Sequence, residues 1–270
     1  MLDLQSHSFY SDGELSPTHV VAAAREAGVT TLALTDHDSI DGVAEAGQAA
    51  REERIVLVPA TELSCVHGRM DDMHMLGYWV DTTAIAPACE RAQRERVSRA
   101  EEIIGRLNAQ GVSVRLEDAI AEAGEANSVG RPHIAKAAGV EPEQMSAFFE
   151  EWLVPGAKAF VARRWPDAAE AAAIIHEAGG AAVLAHPFWD MQDPEQVAAL
   201  VDELDLDGVE VFYPSHTREQ VEFLLELCRD RGLAPTGSSD FHGPNHKLFN
   251  SFVSYPTYDL GEPELPPRSP

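Results

Sequence analysis

Apolar positions along the chain recur in two periods, and the alternation between them predicts the fold. A short apolar start at residues 2–4 precedes a loop with Ser11-Asp12-Gly13. Ser16-Pro17 then opens a helical stretch with Val20, Val21, Ala24 and Ala27 on one face, closed by Gly28. Residues 30–35 are rich in β-formers, residues 40–51 are helical, and residues 55–59 and 73–80 read as strands. A strand–helix succession of this kind is what a parallel sheet requires. From about Thr83 to Ala162 the pattern changes to helical segments rich in Ala, Glu and Arg. They break at Gly111, Gly124, Gly130-Arg131-Pro132, Gly139 and Pro155-Gly156. The alternation resumes with helices over 167–178, 194–204 and 216–231 and strands over 181–185, 208–212 and 233–237. Seven strand candidates result, one short of the common eight-stranded barrel. The expectation is an α/β barrel domain built from residues 1–82 and 163–259, with a helical insertion, 83–162, serving as lid or substrate subdomain. Residues 260–270, rich in Pro and Glu, read as an extended or frayed tail.

With 270 residues and 44% hydrophobic content there is chain enough for a sizeable core. No run approaches a membrane span and the N-terminus lacks the features of a signal peptide, so a cytoplasmic protein without membrane partners is expected. Cys65, Cys89 and Cys228 are odd in number and form no Cys-x-x-Cys pair, which points to buried or reduced thiols. The net charge of -25 argues against binding long nucleic acid, which needs a basic face. An anionic substrate must then be drawn by something local, such as bound divalent ions, unless the acidity only keeps the chain in solution.

Metal-type side chains stand just past the apolar runs, or in one case within them. They are His7 and Asp12, His37 between Asp36 and Asp38, Glu62, His74, His186, and Asp240 with His242. Raised at the ends of parallel strands, such imidazoles and carboxylates would converge on one mouth of a barrel and hold several ions. His74, between Met73 and Met75, could by itself be a core histidine, and His19 and His176 are given no role. The joint pattern is what carries the metal reading.

In order and spacing, Asp3-Leu4-x-x-His7-Ser8-x-x-Ser11-Asp12-Gly13, Thr35-Asp36-His37-Asp38, Glu62, His74, His186-Pro187 and Ser239-Asp240-x-His242 resemble the PHP (polymerase and histidinol phosphatase) family of metal-dependent phosphoesterases. The resemblance implies a distorted TIM-like (β/α)7 barrel of seven parallel strands with a trinuclear metal centre. Within the family the chain is most similar to nucleotide phosphatases and short-oligonucleotide exonucleases that carry a helical insertion, with a stretch comparable to Ser128-Val129-Gly130-Arg131-Pro132-His133. Carried over, the resemblance puts His7, Glu62 and Asp240 on a first ion. Glu62 bridges to a second ion held by His74 and His186, and Asp12, His37 and His242 hold a third. Two or three divalent ions are expected, and mixed His and carboxylate donors suit Mn, Fe and Zn alike. Such ions polarise a phosphoryl group and make water acidic enough to attack it near neutral pH, with Glu62 and Asp240 counted among the catalytic groups.

One position departs from the family. Its first strand carries His-x-His, whereas this chain has Gln5-Ser6-His7. The Gln5 amide oxygen binds weakly in place of the imidazole, or water fills the position, or the first site is partly empty. Asp36 and Asp38 are expected behind the ligands, orienting imidazole N–H groups. His216 either protonates the leaving group or contacts phosphate, or else caps the helix beginning there. Arg131, with His133, either grips a phosphate or forms an ordinary salt bridge. Lys158 and Arg163-Arg164 either line the mouth or lie on a solvated face. Trp152, Trp165 and Trp189 either stack on a base or pack in the core or lid.

Three functions fit. The first is hydrolysis of a phosphate monoester on a small nucleotide, with preference for a nucleoside 3′,5′-bisphosphate or the end of a very short oligonucleotide. The second is a histidinol-phosphate phosphatase. The third is a PHP-like metal-binding module without turnover. The small phosphorylated substrate is the one partner expected.

Overall fold

The computed structural model describes residues 1–124, 129–189 and 191–268. Ser128 therefore lies outside the described residues. Strand β1 (Leu2–Asp3) is followed by helix α1 (Pro17–Glu26), β2 (Thr31–Leu34), α2 (Val43–Glu53), β3 (Val56–His67) and β4 (Met70–Tyr78). Ser16 caps α1 by accepting from the His19 amide, and Val20, Val21 and Ala24 form the buried stripe that the periodicity predicts. A helical stretch follows with α3 (Thr82–Ala109), α4 (Leu116–Ala123), α5 (Arg131–Ala137) and α6 (Met145–Phe148). The chain then returns to α7 (Ala168–Glu177), β5 (Ala181–Leu184), α8 (Pro194–Glu203), β6 (Gly208–Phe212), α9 (Arg218–Arg231) and β7 (Ala234–Gly237).

The seven strands form one sheet in sequence order. It curls until the ends approach: the Leu4 amide donates to Gly237 O at 3.3 Å, and the His7 amide to Phe241 O at 2.8 Å. The result is a nearly closed barrel. Its strands are not all parallel, which corrects one expectation. β4 runs antiparallel to both β3 and β5. The cause is local, because only two residues, Gly68 and Arg69, join β3 to β4, and so short a link permits only a hairpin. β3 is also longer than the apolar run at 55–59 suggested, so Glu62 lies within a strand rather than past it.

Apolar side chains from the strands, including Val58, Leu76, Tyr78 and Val183, together with Leu4 just past β1, fill the barrel below its mouth. Other clusters bury the outer faces against the helices. The helical stretch has a core of its own around Ile103, Leu107, Ile134 and Leu153. α3 joins both regions, since Ile85 and Cys89 pack with the barrel and Ile103 and Leu107 with the helices. The tail is irregular but tied down: the Glu264 amide donates to Pro235 O, and Trp79 Nε1 to Pro266 O. Among the described residues no helix is long and apolar enough to cross a membrane, and all three cysteines are buried and free.

Candidate metal centre

Hairpin geometry places the first two donors. His74 pairs with Ser64 across the antiparallel ladder, so its side chain shares a face with Ser64 and with Glu62 two residues earlier. His74 Nδ1 accordingly reaches Glu62 Oε1 at 3.0 Å. His186 follows β5, and its Nε2 lies 3.3 Å from Glu62 Oε1 and 3.3 Å from His74 Nδ1. The other carboxylate oxygen, Glu62 Oε2, is 3.2 Å from His7 Nε2, which is itself 3.1 Å from Asp240 Oδ1. A third group surrounds Asp12, with His242 Nε2 at 3.4 Å and His37 Nε2 at 3.7 Å. His37 Nδ1 faces Glu62 Oε2 at 3.4 Å and so joins this group to the rest. The structure therefore brings together all eight residues named as ligands.

Whether these atoms suit cations can be judged from their mutual geometry. Donors 2.0–2.2 Å from one ion stand roughly 2.8–3.6 Å from each other in octahedral or tetrahedral arrangements, which covers the spacing of most of these pairs. Several of the atoms are buried without a hydrogen-bond partner: His7 Nε2, His37 Nδ1 and Asp240 Oδ1. Burying such groups without a partner is costly, and atoms that converge without hydrogen-bond geometry are arranged for something between them. Protonation equilibria agree. Burial pushes Glu62 up, but His37, His74, His186 and His7 outweigh it and hold the carboxyl well below its usual range. Burial resists charge on His186, yet Glu62 and its neighbours raise it to about 9. His37, governed by burial, falls to about 4. Glu62 is thus held as a carboxylate among imidazoles of which His186 favours the proton and His37 stays neutral, a donor set in which divalent ions can take the proton's place.

The residues around the donors hold them in position. Tyr213 donates to Asp240 Oδ2 at 2.8 Å. Asp36 accepts from the Ser8 amide, the Ser8 hydroxyl and the Ser11 hydroxyl, and Ser11 Oγ in turn meets His7 Nδ1 at 3.3 Å. Asp36 thus orients a ligand ring through Ser11 and shapes the loop bearing Asp12. Gly13 completes that loop, where a Cβ would lie 2.3 Å from His7 O. Asp38 orients no ring; it accepts from Arg96 Nε at 2.5 Å and from the Ser64 amide at 2.8 Å. His186 and Asp240, with φ of 23° and 53°, are two of eight described non-glycine residues with left-handed backbone.

Gln5 is buried in an orientation that its neighbours dictate. Glu62 Oε2 can only accept, so the Gln5 amide nitrogen faces it at 3.0 Å, and the amide oxygen turns to the Ser238 hydroxyl at 3.3 Å. Of the alternatives for this position, direct ligation by the amide oxygen is the one this arrangement disfavours. Ser238 Oγ also lies 2.5 Å from Glu210 Oε1, where burial raises Glu210 to about 8 against the opposing pull of His186, so that its protonated carboxyl donates to Ser238 near neutral pH.

A pocket of about 180 Å³ adjoins the donors, bounded by Asp12, His37 and His74 on one side and by α3 and α5 on the other. Arg96, Arg99, Arg131 and Arg163 line it. Arg131 pairs with Asp72 and so makes a salt bridge while also facing the pocket. His133 lines it too, its Nδ1 accepting from the Gly130 amide. Arg163 is buried with its Nε unpartnered and stands 3.9 Å from both Asp38 and Asp72. The sequence reading missed Arg96 and Arg99 because a 28-residue helix rich in Arg and Glu reads as solvated; only the packing of α3 shows which arginines turn inward. Two expected contacts are elsewhere. Lys158 is 53% exposed and paired with Glu151 at 2.5 Å, outside the pocket. His216 is buried, bonds Val211 O through Nδ1 and is pushed down to about 4 by burial. It does not line the pocket, nor does it cap α9, a role taken by Thr217.

Comparison with known proteins matches residues 3–128 to the PHP domain family. A 3′,5′-nucleoside bisphosphate phosphatase of Chromobacterium violaceum is 32% identical over 256 residues, covering 90% of this chain and 87% of the relative. A 5′-3′ exoribonuclease of Haemophilus influenzae is 34% identical over 251 residues, 90% of each. A solved structure from Bifidobacterium adolescentis, of a protein taken to be a metal-dependent phosphoesterase, superposes with a TM-score of 0.81 at 30% identity, covering 96% of this chain and 93% of that one.

Proposed function

The chain belongs to the PHP domain family, and from that premise we propose that this metal-dependent phosphoesterase removes a terminal phosphate from a small nucleotide carrying a second phosphate, such as a nucleoside 3′,5′-bisphosphate or the 5′ end of a short oligonucleotide. The observation that carries the proposal is the arginine pocket sharing Asp12, His37 and His74 with the donor cluster. In a chain of net charge -25 it is a local cationic surface beside the donors.

We take three groups of mutually close donors, His7, Glu62 and Asp240; His37, Glu62 and His74, with His186 beside them; and His7, Asp12, His37 and His242, as three ion sites, with Mn, Fe or Zn as candidates. Bound there, such ions polarise phosphoryl oxygens and lower the pKa of a water toward neutrality. The protein supplies the placement. Glu62 offers an oxygen to each of two sites, and Tyr213 fixes Asp240. Arg163 and Arg131 present planar guanidinium groups to the second phosphate in competition with Asp72, which selects for an anion of higher charge than one carboxylate. The helices α3 and α5 form the wall that limits substrate size.

Phosphate release is the test. A nucleoside 3′,5′-bisphosphate should exceed both an aryl phosphate and histidinol phosphate in kcat/KM by about tenfold or more. Preference for histidinol phosphate would overturn the proposal.

A further inference from the structure

We propose that Trp189 is a stacking step for a nucleobase on the far side of the scissile bond, giving the protein a second nucleotide subsite that the arginine pocket does not provide. This rests on the reading of the site as a nucleotide phosphoesterase.

The three tryptophans near the insertion or the mouth differ in surroundings. Trp165 is buried, with Arg91 over its ring at 3.9 Å and its Nε1 donating to Glu170. Trp152 faces Lys158 at 4.5 Å within the helical region. Trp189 alone of the three is an exposed ring, with 48% of its surface open to solvent. Its position is nevertheless fixed to the site: its amide donates to His186 O at 2.8 Å. The indole stands edge-on to His186 at 6.4 Å and to Tyr213 at 6.3 Å, and it leans on Phe249 at 5.9 Å. An indole anchored by a candidate ligand and its supporting tyrosine, yet half open to water, is placed to receive a flat apolar partner.

Its neighbours point to the same kind of ligand. In the segment that follows Asp240 and His242, exposed Lys247 and Leu248 precede the buried Phe249 in sequence, while His246 stacks on both His242 and Phe249. Aromatic faces interleaved with a cation are the means by which single-stranded nucleotides are held without base selectivity. This sector of the rim is distinct from the arginine pocket. That pocket is bounded by Asp12, His37 and His74, whereas Trp189 adjoins His186 and does not line it. A dinucleotide with its internal phosphodiester at the donors then has its 5′-phosphate and first nucleoside toward the arginines and its second nucleoside toward Trp189. Here the site acts on a diester as well as a monoester, water forming the new P–O bond as the bond from phosphorus to the first nucleoside's 3′ oxygen breaks and that oxygen leaves with a proton. A bisphosphate ends at its scissile phosphate and has nothing to place there.

The test compares a nucleoside 3′,5′-bisphosphate with a 5′-phosphorylated dinucleotide on wild type, Trp189→Ala and Trp189→Phe. Loss of the ring should raise the KM for the dinucleotide, relative to that for the bisphosphate, by about tenfold, and phenylalanine should restore most of it. A non-hydrolysable phosphorothioate dinucleotide should quench indole fluorescence in the wild type, and the quench should vanish in Trp189→Phe while binding persists. Equal rises in KM for both substrates, or an unchanged dinucleotide KM, would overturn the inference while leaving the phosphatase reading intact. If neither substrate turns over, that reading falls, and the quenching titration still decides whether Trp189 binds a base.

Discussion

Replacing Gln5 by histidine should move folding stability and metal affinity in opposite directions. In the metal-free protein the buried Gln5 amide donates to the Glu62 carboxylate at 3.0 Å, a hydrogen bond to a charged group worth about 1.5–3 kcal/mol. The second contact, from Ser238 at 3.3 Å, is long and Ser238 keeps Glu210, so its loss adds little. The stripped Gln5→His protein should therefore lose roughly 2 kcal/mol and melt about 4–8 °C lower than stripped wild type. With ions present, the imidazole adds a fourth donor to His7, Glu62 and Asp240. A tenfold gain in affinity corresponds to about 1.4 kcal/mol, which ion binding returns to the folded state. Calorimetry of stripped and loaded samples, with elemental analysis under chelator competition, measures both quantities. Equal ion affinity in the two proteins, or an equal melting deficit with and without ions, would refute the idea that position 5 weakens the first site.

Arg131→Ala should lower kcat/KM for a nucleoside 3′,5′-bisphosphate by about tenfold or more while barely affecting an aryl phosphate, whereas Lys158→Ala should affect neither; steady-state assays on both substrates check this. Glu62→Gln should bind fewer ions by elemental analysis and lose about a hundredfold or more in phosphate release, with near-native circular dichroism because the barrel core lies below the site. His216 gives a pH signature. Its folded pKa of about 4 lies below the ordinary 6.5 through burial, so the unfolded chain takes the proton first as pH falls. The stability it contributes is complete above about pH 6.5 and is lost toward pH 4, up to about 3 kcal/mol in all. On going from pH 7 to pH 4.5, the wild type should therefore lose more stability by urea midpoint than His216→Phe, so that the difference between them shifts against the wild type. A constant difference would show that His216 does not titrate in this window.

The seven strands, most helix ends and the side chains that converge around Glu62 were legible because each has a local cause. Periodicity marks the strands, Ser16 and Asp167 mark helix starts, and imidazoles next to apolar runs mark the mouth. What was not legible depended on pairing across the chain. The direction of β4 follows from a two-residue link inside a stretch without a strong turn signal, and the length of β3 from its partner rather than from its own apolar run. Asp36 and Asp38 both flank His37, yet one reaches His7 through Ser11 and the other holds Arg96, a difference set by which elements pack beside them. His216 looked functional because it follows a strand beside Tyr213; only its burial and its bond to Val211 O remove it from the pocket.

The central claim is that ions held by the donors around Glu62 enable phosphate release. It is tested most directly by stripping the protein with a chelator and titrating Mn²⁺, Fe²⁺ or Zn²⁺ back while following both bound metal and phosphate released from a nucleoside 3′,5′-bisphosphate. The stripped protein should be inactive, and activity should rise with ion content as the three groups around Glu62 and Asp12 fill. Full activity in protein that elemental analysis shows to be free of metal would contradict the account.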